Sequence, residues 1–171
     1  MIKIDLTDFD EAYQILEQSF IPSELRPYDY MKLLFMNNEF CIYACKHEHK
    51  ILSVMIVWEF DGYVYVENFA TKKVLRGRGI GSKMLQYLKE IYSKQIIVLE
   101  VEPPLTDYEI KRLEFYKRNE FSFNDFHYIQ PVLRPNYPQV NLYLMSYPYQ
   151  LNNNQFKEIK NILFKNVYKE K

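Results

Sequence analysis

The hydrophobic pattern of the chain switches repeatedly between two periods. Residues 1–6 alternate apolar and polar, the period of a short strand. From Asp8 onward that alternation gives way to a helix whose inner face carries Ala12, Ile15, Leu16 and Phe20. Pro22 and Pro27 break the chain, and Met31, Leu34 and Phe35 set a second helix over 28–36. Three strand-like runs follow, at 39–46, 51–60 and 63–71. Asp61-Gly62 between the last two is a strong hairpin signal. Three strands joined by short turns predict an antiparallel meander. A helix follows over 79–94, with Ile80, Met84, Leu85, Leu88 and Ile91 or Tyr92 as its inner stripe. Residues 95–101 are almost continuously apolar, as in a strand buried on both faces, and Pro103-Pro104 stops them. Thr106 or Asp107 can cap a helix reaching about Arg118, with Ile110, Leu113 and Tyr116 or Lys117 along one side. Residues 121–129 and 141–147 form a last antiparallel pair around a loop holding Pro131, Pro135 and Pro138. The tail, 153–168, places Phe156, Ile159, Leu163 and Val167 at helical spacing and predicts an amphipathic helix packed on the body.

The order of elements predicts a mixed α+β sheet, because a fully alternating parallel fold does not accommodate the meander. No repeat or linker interrupts the pattern, so 1–171 reads as one domain, with a core over 1–147 and a C-terminal extension over 148–171. The length is sufficient for a substantial core, and 16 Tyr, 12 Phe and 1 Trp exclude intrinsic disorder. Lys plus Arg and Asp plus Glu are 22 each, so the net charge is zero. That excludes the strong basic excess of a general nucleic-acid binder and leaves only a local basic patch. No apolar run approaches the roughly 20 residues of a membrane span. The N-terminus has no signal-peptide apolar core, so the expected compartment is the cytoplasm.

Cys41 and Cys45, followed by His47 and His49, raise the question of a metal centre. Four ligands strung along one extended segment lie on a line and cannot surround an ion. The expectation is no metal, two small thiols in a strand, and an exposed hairpin tip at 47–50.

Only 4 glycines occur in the chain, and three of them, Gly77, Gly79 and Gly81, fall within five residues. They sit between a predicted strand and a predicted helix. Glycine there lets the backbone take positive φ and approach a ligand closely. The unpaired N–H groups of the helix start suit a phosphate, and Arg76, Arg78 and Lys83 add positive charge. A dinucleotide G-x-G-x-x-G requires glycine where Ser82 or Met84 stands, and a P-loop requires its second glycine at Ser82. Both patterns fail. Arg76-x-x-Gly79-x-Gly81 does match the pyrophosphate signature of the GNAT N-acetyltransferases, and the chain resembles that superfamily over about 1–147, including element order.

The resemblance implies a GNAT fold: a central, mixed, mostly antiparallel sheet of about seven strands flanked by helices. It implies acetyl-CoA as cosubstrate, its pyrophosphate held by Arg76, Gly77, Arg78, Gly79, Ile80, Gly81 and Ser82. It also implies a bulge in the preceding strand and a splayed edge at Phe69, Ala70 and Thr71 that pairs with the pantetheine arm. A second matching stretch runs from Arg112, assigned to the coenzyme, through Tyr116 to Phe121. Here Glu120 replaces the family's glycine, and Glu109 stands where many relatives have asparagine.

Acyl transfer needs a proton acceptor for the amine, a donor for the departing thiolate, and a donor to the carbonyl oxygen. Glu67 is the first candidate base, the alternative being an outward-facing strand carboxylate. Glu100, in an otherwise apolar strand, must be paired or have a raised pKa and is the second. Glu102 falls at that strand's open end. Tyr116 is the candidate acid by resemblance, against a packing role. In the family the acceptor site lies between the loop joining the first two helices and the last hairpin, here 23–30 and 127–139. These stretches hold Glu24, Arg26, Tyr28, His127, Tyr128 and Arg134, which suit a small or peptide amine. A homodimer is compatible with the family. Two other readings stay open: a coenzyme-A-binding regulator without catalysis, and a nucleotide or phosphate-ligand module.

Overall fold

The computed structural model describes residues 1–169. The strands are β1 (Ile2–Lys3), β2 (Phe40–His47), β3 (Lys50–Phe60), β4 (Tyr63–Thr71), β5 (Ile96–Val101), β6 (Ser122–Gln130) and β7 (Val140–Tyr147). They form one sheet in the order β1-β2-β3-β4-β5-β7-β6. Among the described residues only β4 and β5 run parallel; every other neighbouring pair is antiparallel. The α-helices are α1 (Phe9–Glu17), α2 (Tyr28–Leu33), α3 (Ile80–Ile91), α4 (Asp107–Arg118) and α5 (Asn153–Ile162). Among the described residues no helix is long and apolar enough to cross a membrane.

The layers follow from strand alternation. Val54, Ile56, Trp58, Tyr65 and Val98 point to one face and pack with α1, α2 and α5. Met55, Val57, Val64, Ile97 and Leu99 point to the other and pack with α3 and α4. This yields the three-layer α+β architecture, with β5 buried on both sides as its unbroken apolar run requires. The hairpin at Asp61-Gly62 is present, with Gly62 at φ 76°.

Several details differ from the pattern. Ile110 is 44% exposed, because α4 buries only Leu113 and Tyr116 and its inner stripe begins one turn later than expected. Ile91 is exposed, and Tyr92 takes the inner place. The helix expected over 28–36 closes in a 3-10 turn, Leu34–Met36, and the tail helix closes in a π turn, Leu163–Val167. The tail packs inward through Ile159, Leu163 and Val167.

Candidate active site

The site begins where two parallel strands part. β4 and β5 pair from Tyr63 with Ile96 to Val66 with Leu99, and no further. One residue later β4 bulges: Val57 faces Val66 and Ile56 faces Asn68, which leaves Glu67 as the extra residue. A bulge bends its strand and re-aims side chains, and here it turns Glu67 and Asn68 both toward the α1–α2 layer. Beyond it Phe69, Ala70 and Thr71 have no partner on β5.

On the α3–α4 side of this splay lies a groove of about 810 Å³. Its floor is Phe69, Ala70 and Thr71, one wall is the 75–82 loop with the start of α3, and the other is α4 at Arg112, Phe115 and Tyr116. Gly77 and Gly79 both take φ 77°, and Gly79 is the N-cap of α3 with no side-chain cap. The first N–H groups of α3 therefore open toward the groove with the helix dipole behind them. A Cβ on Gly77 or Gly79 would meet nothing within 4 Å, so the backbone there faces free space that a ligand can enter. Gly81 differs: its Cβ would stand 3.1 Å from the Phe115 ring, so this glycine permits α3 and α4 to approach. Arg76 lines the groove, its Nε donating to the Thr71 carbonyl at 3.2 Å. Arg78 is exposed.

A second, smaller void of about 40 Å³ passes through the splay itself, reached by Glu24, Glu67, Asn68, Glu100, Glu102 and Tyr116. The Glu67 carboxylate is almost wholly enclosed, and both of its oxygens are engaged. Arg26 Nε donates to Oε1 at 2.6 Å and Trp58 Nε1 to Oε2 at 2.7 Å. Arg26 is itself buried and donates onward to the Val167 carbonyl at 3.0 Å. Glu100, on the same face of the sheet, is ringed by hydroxyls. Tyr65 donates to it at 2.5 Å, Tyr168 at 2.7 Å, and Tyr128 also donates. Gln130 Nε2 donates to the Tyr168 hydroxyl at 3.1 Å, leaving that hydroxyl's proton for Glu100. Burial lifts the Glu100 carboxyl to about 7; the Tyr65 and Tyr168 hydrogen bonds oppose the rise, Glu67 adds to it, and Arg26 counters it.

Tyr116 lies between the groove and the void and lines both. Its hydroxyl makes no hydrogen bond to the described residues, and burial pushes it up to about 12. Arg112 is held by Glu102, Nη1 to Oε1 at 2.6 Å, so its charge is largely met within the protein. Arg134, from the proline-rich loop, donates to the Leu25 carbonyl at 2.7 Å and thereby fastens the 22–27 segment to the last hairpin. The two stretches expected to meet at the acceptor side do meet.

Cys41 lies in β2, buried, and donates to Glu59 at 3.2 Å. Among the described residues no three His, Cys, Asp or Glu side chains converge as an ion would require. Four side chains that bond at the splay carry no motif signature in the sequence pattern: Trp58, Tyr65, Asn68 and Tyr168. One signal was available for Asn68. The adjacent polar pair Glu67-Asn68 breaks the alternation of a strand, as a bulge does. Nothing local marks Tyr168, whose position depends on how the tail folds back.

Residues 9–121 match the Acetyltransferase (GNAT) family. Over 112 residues the chain is 33% identical to the Bacillus subtilis (strain 168) protein named "Putative acetyltransferase YjbC"; the match spans 64% of this chain and 55% of that protein. A GNAT-family structure from Bacteroides thetaiotaomicron superposes with a TM-score of 0.90 at 28% identity, covering 99% of this chain and 98% of that one. Arabidopsis thaliana NAA60, solved in complex with acetyl-CoA, shares the fold at a TM-score of 0.66 and 14% identity, covering 85% of this chain and 96% of that one. With its splayed seven-stranded sheet and glycine loop, the chain belongs to the GNAT acetyltransferase family.

Proposed function

We propose that the protein transfers an acetyl group from acetyl-CoA to a primary amine by direct attack in a ternary complex. The observation that carries this reading is the junction of groove and void at the splay. A long open groove beside a phosphate-suited helix start meets, at Phe69 and Tyr116, a small void lined with carboxylates.

In this reading the N–H groups of 77–82 and the Arg76 and Arg78 charges hold the pyrophosphate. Ile80 and Ser82 supply backbone at the same turn, and Arg112 flanks the coenzyme from α4. The free edge at Phe69, Ala70 and Thr71 pairs with the pantetheine arm. The amine nitrogen forms its bond to the acetyl carbon while the C–S bond breaks. Glu100 takes the amine proton, directly or through a water, because its carboxyl titrates near neutrality. Tyr116 gives its proton to the departing thiolate, which its raised pKa keeps available. Glu67 is ion-paired with the buried Arg26 and also accepts from Trp58, so its role is to fix Arg26 and the bulge.

Thermal shift with acetyl-CoA, CoA and ATP tests the cofactor. A ligand at 100 times its Kd stabilises by about 2.7 kcal/mol, which is several degrees for a domain of this size. A shift with ATP and none with acetyl-CoA overturns the reading.

A further inference from the structure

The groups around the void at the splay are unequally satisfied. Glu67 is met by Arg26 and Trp58, Glu102 by Arg112, and Glu100 by three tyrosines. Two groups are left over. The Glu24 carboxylate accepts no hydrogen bond from an N–H or hydroxyl group of the described residues; its hydrogen-bond neighbour is another carboxyl, Glu102, so the two must share a proton. Asn68 is 4% exposed, and its Oδ1 is a buried acceptor without a partner. The orientation of that amide is fixed: Nδ2 donates to the Glu24 carbonyl at 3.1 Å, so the nitrogen faces the carbonyl and Oδ1 points away from it. A buried orphan acceptor is costly in a folded protein and marks a place where a donor is missing.

Both leftover groups are acceptors, so the missing partner is a donor. The charges point the same way. Arg26 and Arg112 are ion-paired with Glu67 and Glu102, and among the described residues no salt bridge reaches Glu24. Burial first, and then the neighbouring Glu102, raise the Glu24 carboxyl to about 7, with Arg112 only partly opposing them. A cation bound there relieves that repulsion. An ammonium brings one positive charge and three donors in the volume of a methyl group. The void, about 40 Å³, is also small. A single water needs roughly 10–15 Å³ on this measure, so an aminomethyl or aminoethyl end fits and a branched or cyclic carbon beside the nitrogen does not. Phe20, Phe69 and Leu142 supply apolar wall for methylenes.

We propose that Glu24 and Asn68 Oδ1 form the amine subsite, and that it takes a protonated primary amine at the end of a slim, unbranched chain. This rests on the acyl-transfer reading for its place in catalysis, and the binding test stands apart from it. The full-length protein, without coenzyme, is titrated at pH 8 with n-butylamine, 1,5-diaminopentane, tert-butylamine and n-butanol, with binding followed by NMR. Saturable binding of the first two is expected, with tert-butylamine and n-butanol weaker by about tenfold or more. Glu24→Gln and Asn68→Leu should each weaken n-butylamine by about tenfold, the scale of a hydrogen bond to a charged group. Glu24→Gln is nearly isosteric and its amide can still donate to Glu102, so it decides the matter if Asn68→Leu fails to fold. Unsaturable binding of the linear amines, equal binding of tert-butylamine, or undiminished n-butylamine binding by Glu24→Gln overturns the proposal. Coenzyme titration of the same samples reports separately on the acyl-transfer reading: amine binding without acetyl-CoA binding sinks that reading and leaves the subsite standing.

Discussion

The two halves of the site are built from different material. The groove proposed for the coenzyme is made largely of backbone: the turn at 76–82, the first N–H groups of α3, and the unpaired edge of β4. Its key residues are contiguous in sequence. The void at the splay is made of side chains, and they come from separate segments, among them Glu24, Glu67 with Asn68, Glu100 with Glu102, Tyr116, and Gln130. A backbone site needs glycine and leaves a motif. A side-chain site needs only that the fold bring its members together. If this division is right, substitutions in one half should change coenzyme binding alone, and substitutions in the other should change proton transfer or amine binding alone.

The largest effect is expected at Glu100. Glu100→Gln keeps the shape and removes the proton acceptor, so kcat should fall by about 10²–10⁴-fold while acetyl-CoA affinity holds. The wild-type rate should rise with pH through about 7, as Glu100 loses its proton, and the variant should lack that limb. A stability readout follows from the same shift. Glu100 binds its proton more tightly in the folded chain than at its ordinary value of 4.5, so its contribution to stability is complete below about 4.5 and is lost as the pH rises through about 7. Glu100→Gln should therefore raise the melting temperature relative to wild type at pH 8 and leave it nearly unchanged at pH 4. Glu67→Gln should behave differently. It leaves Arg26 buried without its counter-charge and should destabilise by about 3–5 kcal/mol, read by denaturant unfolding. A folded, stable Glu67→Gln protein that has lost turnover would reverse the two roles.

In the other half, Gly79→Asp is the cleaner of the loop substitutions. Its side chain enters open space, and Asp tolerates positive φ better than most residues. Gly81→Asp must also displace Phe115, which confounds binding with packing. Gly79→Asp places a negative charge among the N–H groups meant for a pyrophosphate. Acetyl-CoA should bind about 10²-fold more weakly by calorimetry, with amine binding unaltered. Undiminished affinity would mean that the groove is not the coenzyme site.

The difference in material also explains what could be read from the sequence. β4 was legible to the residue because Asp61-Gly62 fixes its start; the sequence left Thr106 or Asp107 as the cap of α4, and the capping box at Thr106 decides between them. The glycine loop was legible because three of four glycines cluster there, Gly77 and Gly79 at positive φ in the turn and Gly81 against Phe115. Glu100 stood out as a charge in an apolar strand. The ring of tyrosines around it was not legible. With 16 tyrosines in the chain, nothing local distinguishes Tyr65, Tyr128 and Tyr168 from packing residues. Arg26 was visible only as one charge in a loop, because its partner lies 41 positions away. Ile110 shows the limit of helical spacing, which reports a stripe but not where along the stripe the helix meets the sheet.

Tyr168 tests whether the tail belongs to the side-chain half. Its hydrogen bond holds the Glu100 pKa down. Tyr168→Phe removes that bond and leaves Tyr65 and Tyr128 in place. The alkaline-rising limb of the rate profile should move to higher pH, with kcat near neutrality reduced by several-fold to about tenfold. An unmoved limb would make Tyr168 a packing residue only.

The smallest effect concerns a departure from the family pattern. Glu120 stands where relatives carry glycine, and it adopts φ 67°. The hydrogen bonds show why glycine suits the position. The Glu120 N–H donates to the Lys117 carbonyl at 2.9 Å and the Phe121 N–H to the Tyr116 carbonyl at 3.1 Å, the paired closure of a helix whose next residue is left-handed. A side chain in that conformation is strained, and glycine is not. Against this, Glu120→Gly loses the contact with Lys89, whose partner carboxylate is well exposed and therefore contributes little. Lys89 keeps its bond to the Asn119 carbonyl at 3.3 Å. The backbone effect should win, and the melting temperature should rise by about 2–4 °C with acetyl-CoA affinity unchanged. A fall would mean that the Lys89–Glu120 pair holds α3 to the end of α4 more strongly than its exposure implies, and a change in coenzyme affinity would extend the groove's influence to the end of α4.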